Sequence, residues 1–186
     1  MNVIDTNISG VKILQPQLFG DSRGYFFESF RLDQIDELLG THVEFVQENQ
    51  SRSHRGVVRG LHFQLPPHAQ AKLVRVVEGS VLDVAVDLRR NSTTYGQYVA
   101  VELSADNCRQ LFIPRGFAHG FAVLSDFATF IYKCDNYYAP QAEGGLMWND
   151  PEIGIKWPVG NGFEPLLSEK DTKNPALKDL GFAFEL

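Results

Sequence analysis

Apolar residues recur along this chain mostly at every second position, in short runs broken by glycine, proline, asparagine and aspartate. A period of two marks a strand that buries one face. Strands are therefore expected over Val11–Leu18, Tyr25–Phe30, Val43–Asn49, Val58–Gln64, Lys72–Val77 and Val81–Leu88. Further strands are expected over Tyr98–Leu103, Arg109–Ile113, Phe121–Leu124 and Thr129–Cys134. Phe19–Gly24 and Ser51–Arg55 read as loops, and Glu78-Gly79-Ser80 and Ser104–Asn107 as the turns of two hairpins. Only one segment of the first half changes period. Leu32, Ile35, Leu38 and Leu39 fall at helical spacing and Gly40 follows as a C-terminal cap.

Many short strands and few helices predict one all-β domain over residues 1–186, a sandwich or a closed barrel. In the run 81–88, Leu82, Val84, Val86 and Leu88 alternate with Asp83 and Asp87, so one buried and one wet face are expected. Phe130, Tyr132 and Cys134 share a face. From Ala139 the chain turns irregular, with Gly144-Gly145, Pro151, Gly154, Pro158, Gly160 and Gly162. It keeps Trp148, Trp157 and Phe163, so it is expected to pack onto the β core.

The chemistry concentrates in Arg59-Gly60-Leu61-His62-Phe63-Gln64, just before Pro66-Pro67. In a regular strand Val58, Gly60, His62 and Gln64 share one face and Arg59 takes the other. If Arg59 serves the same site as His62, the strand must twist or bulge, and Gly60 is the residue that permits it. Gln47 and Asn49 likewise share a face.

Composition narrows the function. A net charge of -6 and a pI near 5.3 argue against a nucleic-acid partner, while leaving room for a local basic pocket facing a phosphorylated small molecule. Cys108 and Cys134 have no metal-ligand spacing, so reduced thiols and a cytoplasmic protein are expected. Met1–Gly10 has neither a basic nor an apolar region of a secretory signal, and no apolar run is long enough to span a bilayer, so no membrane partner is expected. Neither a GxGxxG after a strand nor a Walker-type loop is present, and no organic cofactor is expected.

Two stretches resemble cupin motifs. Pro114-Arg115-Gly116-Phe117-Ala118-His119 is similar to the second, and Gly60 through Gly79 to the first, with His62-Phe63-Gln64 in place of His-x-His. Glutamine is a poor metal ligand, so no metal is expected. The resemblance then sharpens. Gly20–Glu28, Gln47-Glu48-Asn49, Arg59–Gln64, Pro66–Lys72, Pro114–Phe121, Tyr132-Lys133, Tyr137–Pro140, Trp148–Ile155 and Ser168–Asp171 resemble, in order, the dTDP-4-dehydrorhamnose 3,5-epimerase family. Tyr25 and Ala71 stand where phenylalanine and glycine would be expected.

The resemblance implies a cupin-like jelly roll, a homodimer with exchanged arm strands, a dTDP-sugar substrate and no cofactor. It implies that His62 is the base, Asp171 its carboxylate partner, Lys72 the cation beside the substrate oxygen and Tyr132 the acid on the opposite face. A C4 ketone acidifies the hydrogens on C3 and C5, and histidine, with an unperturbed pKa of about 6.5, suits their removal. Arg23 and Arg59 would pair with the diphosphate. Tyr138 would stack on the thymine, and Phe26, Glu28, Gln47, Asn49, His119, Glu143 and Lys170 would complete the pocket. An epimerase acting at C3 alone is the alternative, since the same acid–base pair serves both reactions. A metal-dependent cupin would need more ligands than His62 and His119. A non-catalytic sugar-binding cupin would not need His62, Asp171 and Tyr132 together.

Overall fold

The computed structural model describes residues 1–160, 163–181 and 184; Gly162 lies outside them. Two antiparallel sheets face each other. In spatial order, the first holds β1 (Asn2–Asp5), β2 (Lys12–Gln15), β10 (Gln110–Ile113), β7 (Lys72–Glu78), β12 (Phe127–Cys134) and β5 (Gln47–His54). The second holds β13 (Glu143–Gly145), β6 (Val58–Gln64), β11 (Phe117–Val123), β8 (Ser80–Asp87) and β9 (Tyr98–Ser104). Between β5 and β12 the chain changes sheet at every connection except β8–β9, which is the jelly-roll pattern of a cupin. A separate hairpin, β3 (Phe19–Asp21) and β4 (Gly24–Phe26), pairs with neither sheet, and α1 spans Leu32–Leu39.

This topology corrects both expected hairpins. β7 and β8 belong to different sheets, as do β9 and β10, so the turns at Gly79 and at Ser104–Asn107 carry the chain across the sandwich. A tight turn reports that the chain reverses and says nothing about which sheet receives it. The boundaries shift as well. β2 is shorter than Val11–Leu18 and pairs with an unexpected N-terminal β1. Gly20 and Asp21 belong to β3, so much of the expected loop 19–24 is hairpin. Of Tyr25–Phe30 only the first two residues are strand. Residues 43–46 are outside β5, which instead runs on through the polar stretch 51–54. That strand lies at a sheet edge, where no apolar alternation is imposed on it.

The space between the sheets is filled at one end by Val74, Val76, Leu103, Leu111, Ile113, Phe117, Phe121 and Phe130, among others. Ile35 of α1, with Leu14, Leu73 and Phe112, covers the outside of the first sheet, and Gly40 (φ +70°) ends the helix as expected. Leu146, Ile153, Trp157, Leu177 and Phe184 cover the outside of the second sheet. Trp148, Trp157 and Phe163 pack beside Val58 and Ala122. β8 is therefore sandwiched on both faces. Asp83 and Asp87 are fully buried, which corrects the wet face read from their alternation. Asp87 is satisfied by Arg89, Ser92 and Thr94.

The conflict at Gly60 resolves as a bulge. His119 of β11 stands opposite His62, but Phe121 stands opposite Arg59, so β6 carries one extra residue. Gly60 has φ +118°, and a β-carbon there would lie 2.7 Å from Gly120 Cα and 2.8 Å from His119 O. Only glycine fits. Val58, Leu61 and Phe63 then pack outward against groups that share Trp157, while Arg59 and His62 line the same internal space.

Candidate active site

The end of the sandwich not filled by apolar side chains holds a cavity of about 300 Å³ lined by Gln47, Asn49, His62, Gln64, Lys72, Tyr132, Tyr138 and Glu143, together with Phe63 and Gln70. A deeper lobe of about 160 Å³ shares His62, Lys72 and Tyr132 with it and adds Arg59 and His119. The two walls differ in origin. Gln47 and Asn49 of β5, Tyr132 of β12 and Lys72 of β7 come from the first sheet. Arg59 and His62 of β6, His119 of β11 and Glu143 of β13 come from the second. A histidine and a tyrosine thus face one cavity from opposite sheets.

His62 Nε2 lies 2.5 Å from Asp171 Oδ1 across 109 positions of sequence. Asp171 is buried in a single 3-10 turn, Asp171–Lys173, of the C-terminal segment. A carboxylate only accepts, so Nε2 of the neutral ring carries the hydrogen and Nδ1 keeps its lone pair. Lys72 places its ammonium 5.9 Å from the centre of the Tyr132 ring, with no carboxylate within 4 Å of it among the described residues. Burial pushes Lys72 below its usual pKa of 10.5, partly offset by Cys134, Asp83 and Glu143. Burial pushes the Tyr132 phenol above 10.0, so it stays protonated at neutral pH. Its cross-strand neighbour is Asn49.

His119 is buried against the Asp83 carboxylate, with Nε2 at 3.0 and 3.1 Å from the two oxygens. Burial lowers its pKa below 6.5 despite the opposing pull of Asp83. The rim is tied together by Glu143, which accepts from Tyr138 at 2.8 Å and pairs with Lys170. Burial alone would raise Glu143, but Lys170 and Tyr138 together hold it below the usual range. Gln47 accepts the Tyr138 backbone N–H at 2.9 Å and donates to Asn49 at 3.1 Å. Arg59 is oriented by a 3.0 Å bond to Ser53 Oγ.

Gln64, at the position of a cupin metal ligand, has a different task. Its amide nitrogen donates to the carbonyls of His68 and Tyr137, and its oxygen accepts from Ala139 N–H. It staples the loop that carries Tyr138. With His62 held by Asp171 and His119 by Asp83, these side chains are committed to protein partners, and no group of three potential ligands converges among the described residues.

A single chain does not bring Arg23, Phe26 and Glu28 to this cavity. Arg23 sits on the β3–β4 hairpin, paired with Asp21 at 2.5 Å, and Phe26 is 70% exposed on the same hairpin. Glu28 is exposed beside Arg31. Arg23 and Phe26 sit on a hairpin that pairs with neither sheet, and Glu28 follows it. Asp83, Ser53 and Gln64 matter to the site and were missed or misread in the sequence. For Asp83 the available signal was an acid in phase with Val81 and Ala85 on a strand whose other face is also apolar.

The sequence model of dTDP-4-dehydrorhamnose 3,5-epimerase matches residues 5–179. The chain belongs to that family. A dTDP-4-dehydrorhamnose 3,5-epimerase of Shigella flexneri is 54% identical over 182 residues, covering 98% of this chain and 99% of the relative. Among solved structures of the family, the dTDP-6-deoxy-D-glucose-3,5-epimerase of Legionella pneumophila in complex with dTDP-4-keto-L-rhamnose superposes with a TM-score of 0.92. It is 49% identical, over 96% of this chain and 94% of that one. A 3'-monoepimerase of Streptomyces bikiniensis in complex with dTDP-quinovose is also similar, at 36% identity and a TM-score of 0.86, over 93% and 86% of the chains.

Proposed function

We propose that this protein inverts C3 and C5 of dTDP-4-dehydro-6-deoxy-D-glucose, giving dTDP-4-dehydro-L-rhamnose for dTDP-L-rhamnose synthesis. The observation that carries the reading is the pairing of His62 with Asp171 on one wall and Tyr132 on the other, with Lys72 beside Tyr132. His62 Nδ1 takes the proton from C3, and the electron pair moves into the C4 carbonyl to give an enolate. Asp171 stabilises the imidazolium, as in other histidine–carboxylate pairs. Lys72, itself desolvated, stabilises the oxyanion as a preorganised cation. Tyr132 returns a proton to carbon from the other face, and C5 is treated in the same way. His62 and Tyr132 then regain their starting states by exchange with solvent. No step needs an oxidant or an added cofactor.

In this reading Arg59, which lines the cavity, takes the diphosphate, and Tyr138, held by Gln47 and Glu143 with its ring exposed, takes the base. Arg23, Phe26 and Glu28 fit the reading if the hairpin reaches the cavity of a second copy. The exposed Phe19, Tyr25 and Phe26 are an apolar surface that such an exchange would cover. The working unit is then a homodimer. Cys108 and Cys134, both buried and unbridged, with Cys134 pushed up to about 11 by burial, fit a cytoplasmic enzyme. No helix among the described residues is long and apolar enough to cross a membrane. Turnover of the dTDP-4-keto sugar followed by NMR tests the reading: inversion at both carbons supports it, and inversion at C3 alone would make this a monoepimerase.

A further inference from the structure

Asp171 reaches His62 on a segment that is laid along the run 145–150. Met147 N–H donates to Pro175 O at 2.8 Å, and the buried Asp150 carboxylate accepts Leu177 N–H at 2.7 Å. The third element of this seat is a residue without a side chain, against which the Asn174 amide packs. Gly145, at the end of β13, stands directly opposite His62 in register. A β-carbon there would press into the Asn174 amide, 2.5 Å from Nδ2 and nearer still to Cγ and Oδ1. Asn174 caps the turn that begins at Asp171. Gly145 is not among the residues with positive φ, so its backbone accepts alanine without strain. The three heavy atoms nearest to that position all belong to the Asn174 side chain.

We infer that Gly145 is a positioning residue for the His62–Asp171 pair: its missing side chain lets the 171–174 turn close onto β13 and brings the carboxylate to hydrogen-bonding distance. This rests on the proposed role of the pair. Alanine at 145 lifts Asn174 and moves Asp171 with it, and misplacement of this kind can lower a rate by about 10²-fold. Gln47, Asn49, Lys72 and Tyr132 stand on the other wall and Arg59 is held by Ser53, so the loss is expected chiefly in kcat.

The test is Gly145→Ala, Asn174→Ala and the double variant. Truncating Asn174 removes the three atoms nearest to a new β-carbon. It sacrifices no hydrogen bond of Nδ2, which is buried without a partner among the described residues. Expected are a fall in kcat of about 10²-fold in Gly145→Ala with KM within about twofold, near-normal kcat in Asn174→Ala, and recovery in the double variant. Thermal melts of all three check folding. Wild-type kcat in Gly145→Ala, or a loss that the second substitution does not restore, would overturn the inference. If the wild-type protein itself turned over no dTDP-4-keto sugar, the function would fall, and ¹⁵N NMR of the His62 ring would decide the positioning separately. A hydrogen fixed on Nε2 in wild type and double variant but not in Gly145→Ala supports it, and identical spectra overturn it.

Discussion

Asp171→Asn keeps the shape of the side chain and removes its charge. The carboxylate is 4% exposed and sits 2.5 Å from His62 Nε2, while the imidazole is 32% exposed, so solvent screens the pair only in part. Breaking a fully buried pair costs about 3–5 kcal/mol, which is the upper figure for this one. The imidazolium exists only after proton abstraction, so most of that loss falls on the transition state. At about 1.4 kcal/mol per decade, kcat should fall by at most about 10²- to 10⁴-fold. An amide can also present Nδ2–H to the ring, which would move the ring hydrogen to Nδ1 and disable the nitrogen expected to act as base. The assay is loss of the substrate C3 proton signal in D2O, with thermal melting to confirm that the fold persists. A rate within threefold of wild type would show that His62 does not need this carboxylate, and the assignment of the pair would have to be abandoned.

Tyr132→Phe should leave exchange at C3 measurable while abolishing net inversion, because His62 can still remove and return a proton on its own face; loss of both together would contradict an acid confined to the opposite wall. Lys72→Met should lower kcat about 10²- to 10³-fold through loss of the oxyanion's cation, and the wild-type alkaline limb should begin below pH 10.5, since burial lowers that ammonium. His119 is buried with its pKa below 6.5, so the unfolded chain binds a proton that the folded one refuses; stability should be full above pH 6.5 and fall as pH drops through the folded value, and His119→Gln should flatten that slope in pH-dependent melts. Mixing inactive His62→Asn and Arg23→Ala/Phe26→Ala chains should restore about a quarter of wild-type activity through mixed two-fold dimers, whereas no recovery would sink hairpin exchange.

The sequence made the all-β architecture legible through its period-two runs, and the one helix through Leu32, Ile35, Leu38 and Leu39. Sheet membership was not legible, because residues 78–80 form the same kind of tight turn whether the next strand stays or crosses. Alternation misleads at Asp83 for a related reason: a strand with both faces covered places an acid in the interior when a histidine of the neighbouring strand reaches it. The demand for a bulge at Gly60 could be read from the need to put Arg59 and His62 together, and φ there meets it. The association of His62 with Asp171 rested on family resemblance alone, since no local pattern links positions so far apart. Gln64 was read as a missing metal ligand, while its use as a staple for residues 137–139 depends on loops that only the fold brings near.

The most direct test of the central claim is NMR of dTDP-4-keto-6-deoxy-D-glucose incubated in D2O with wild-type and His62→Asn protein. Deuterium at C3 and C5 of inverted product with the wild type, and none above the enzyme-free control with the variant, is the expected result. Wild-type labelling by the His62→Asn protein would contradict the account at its base.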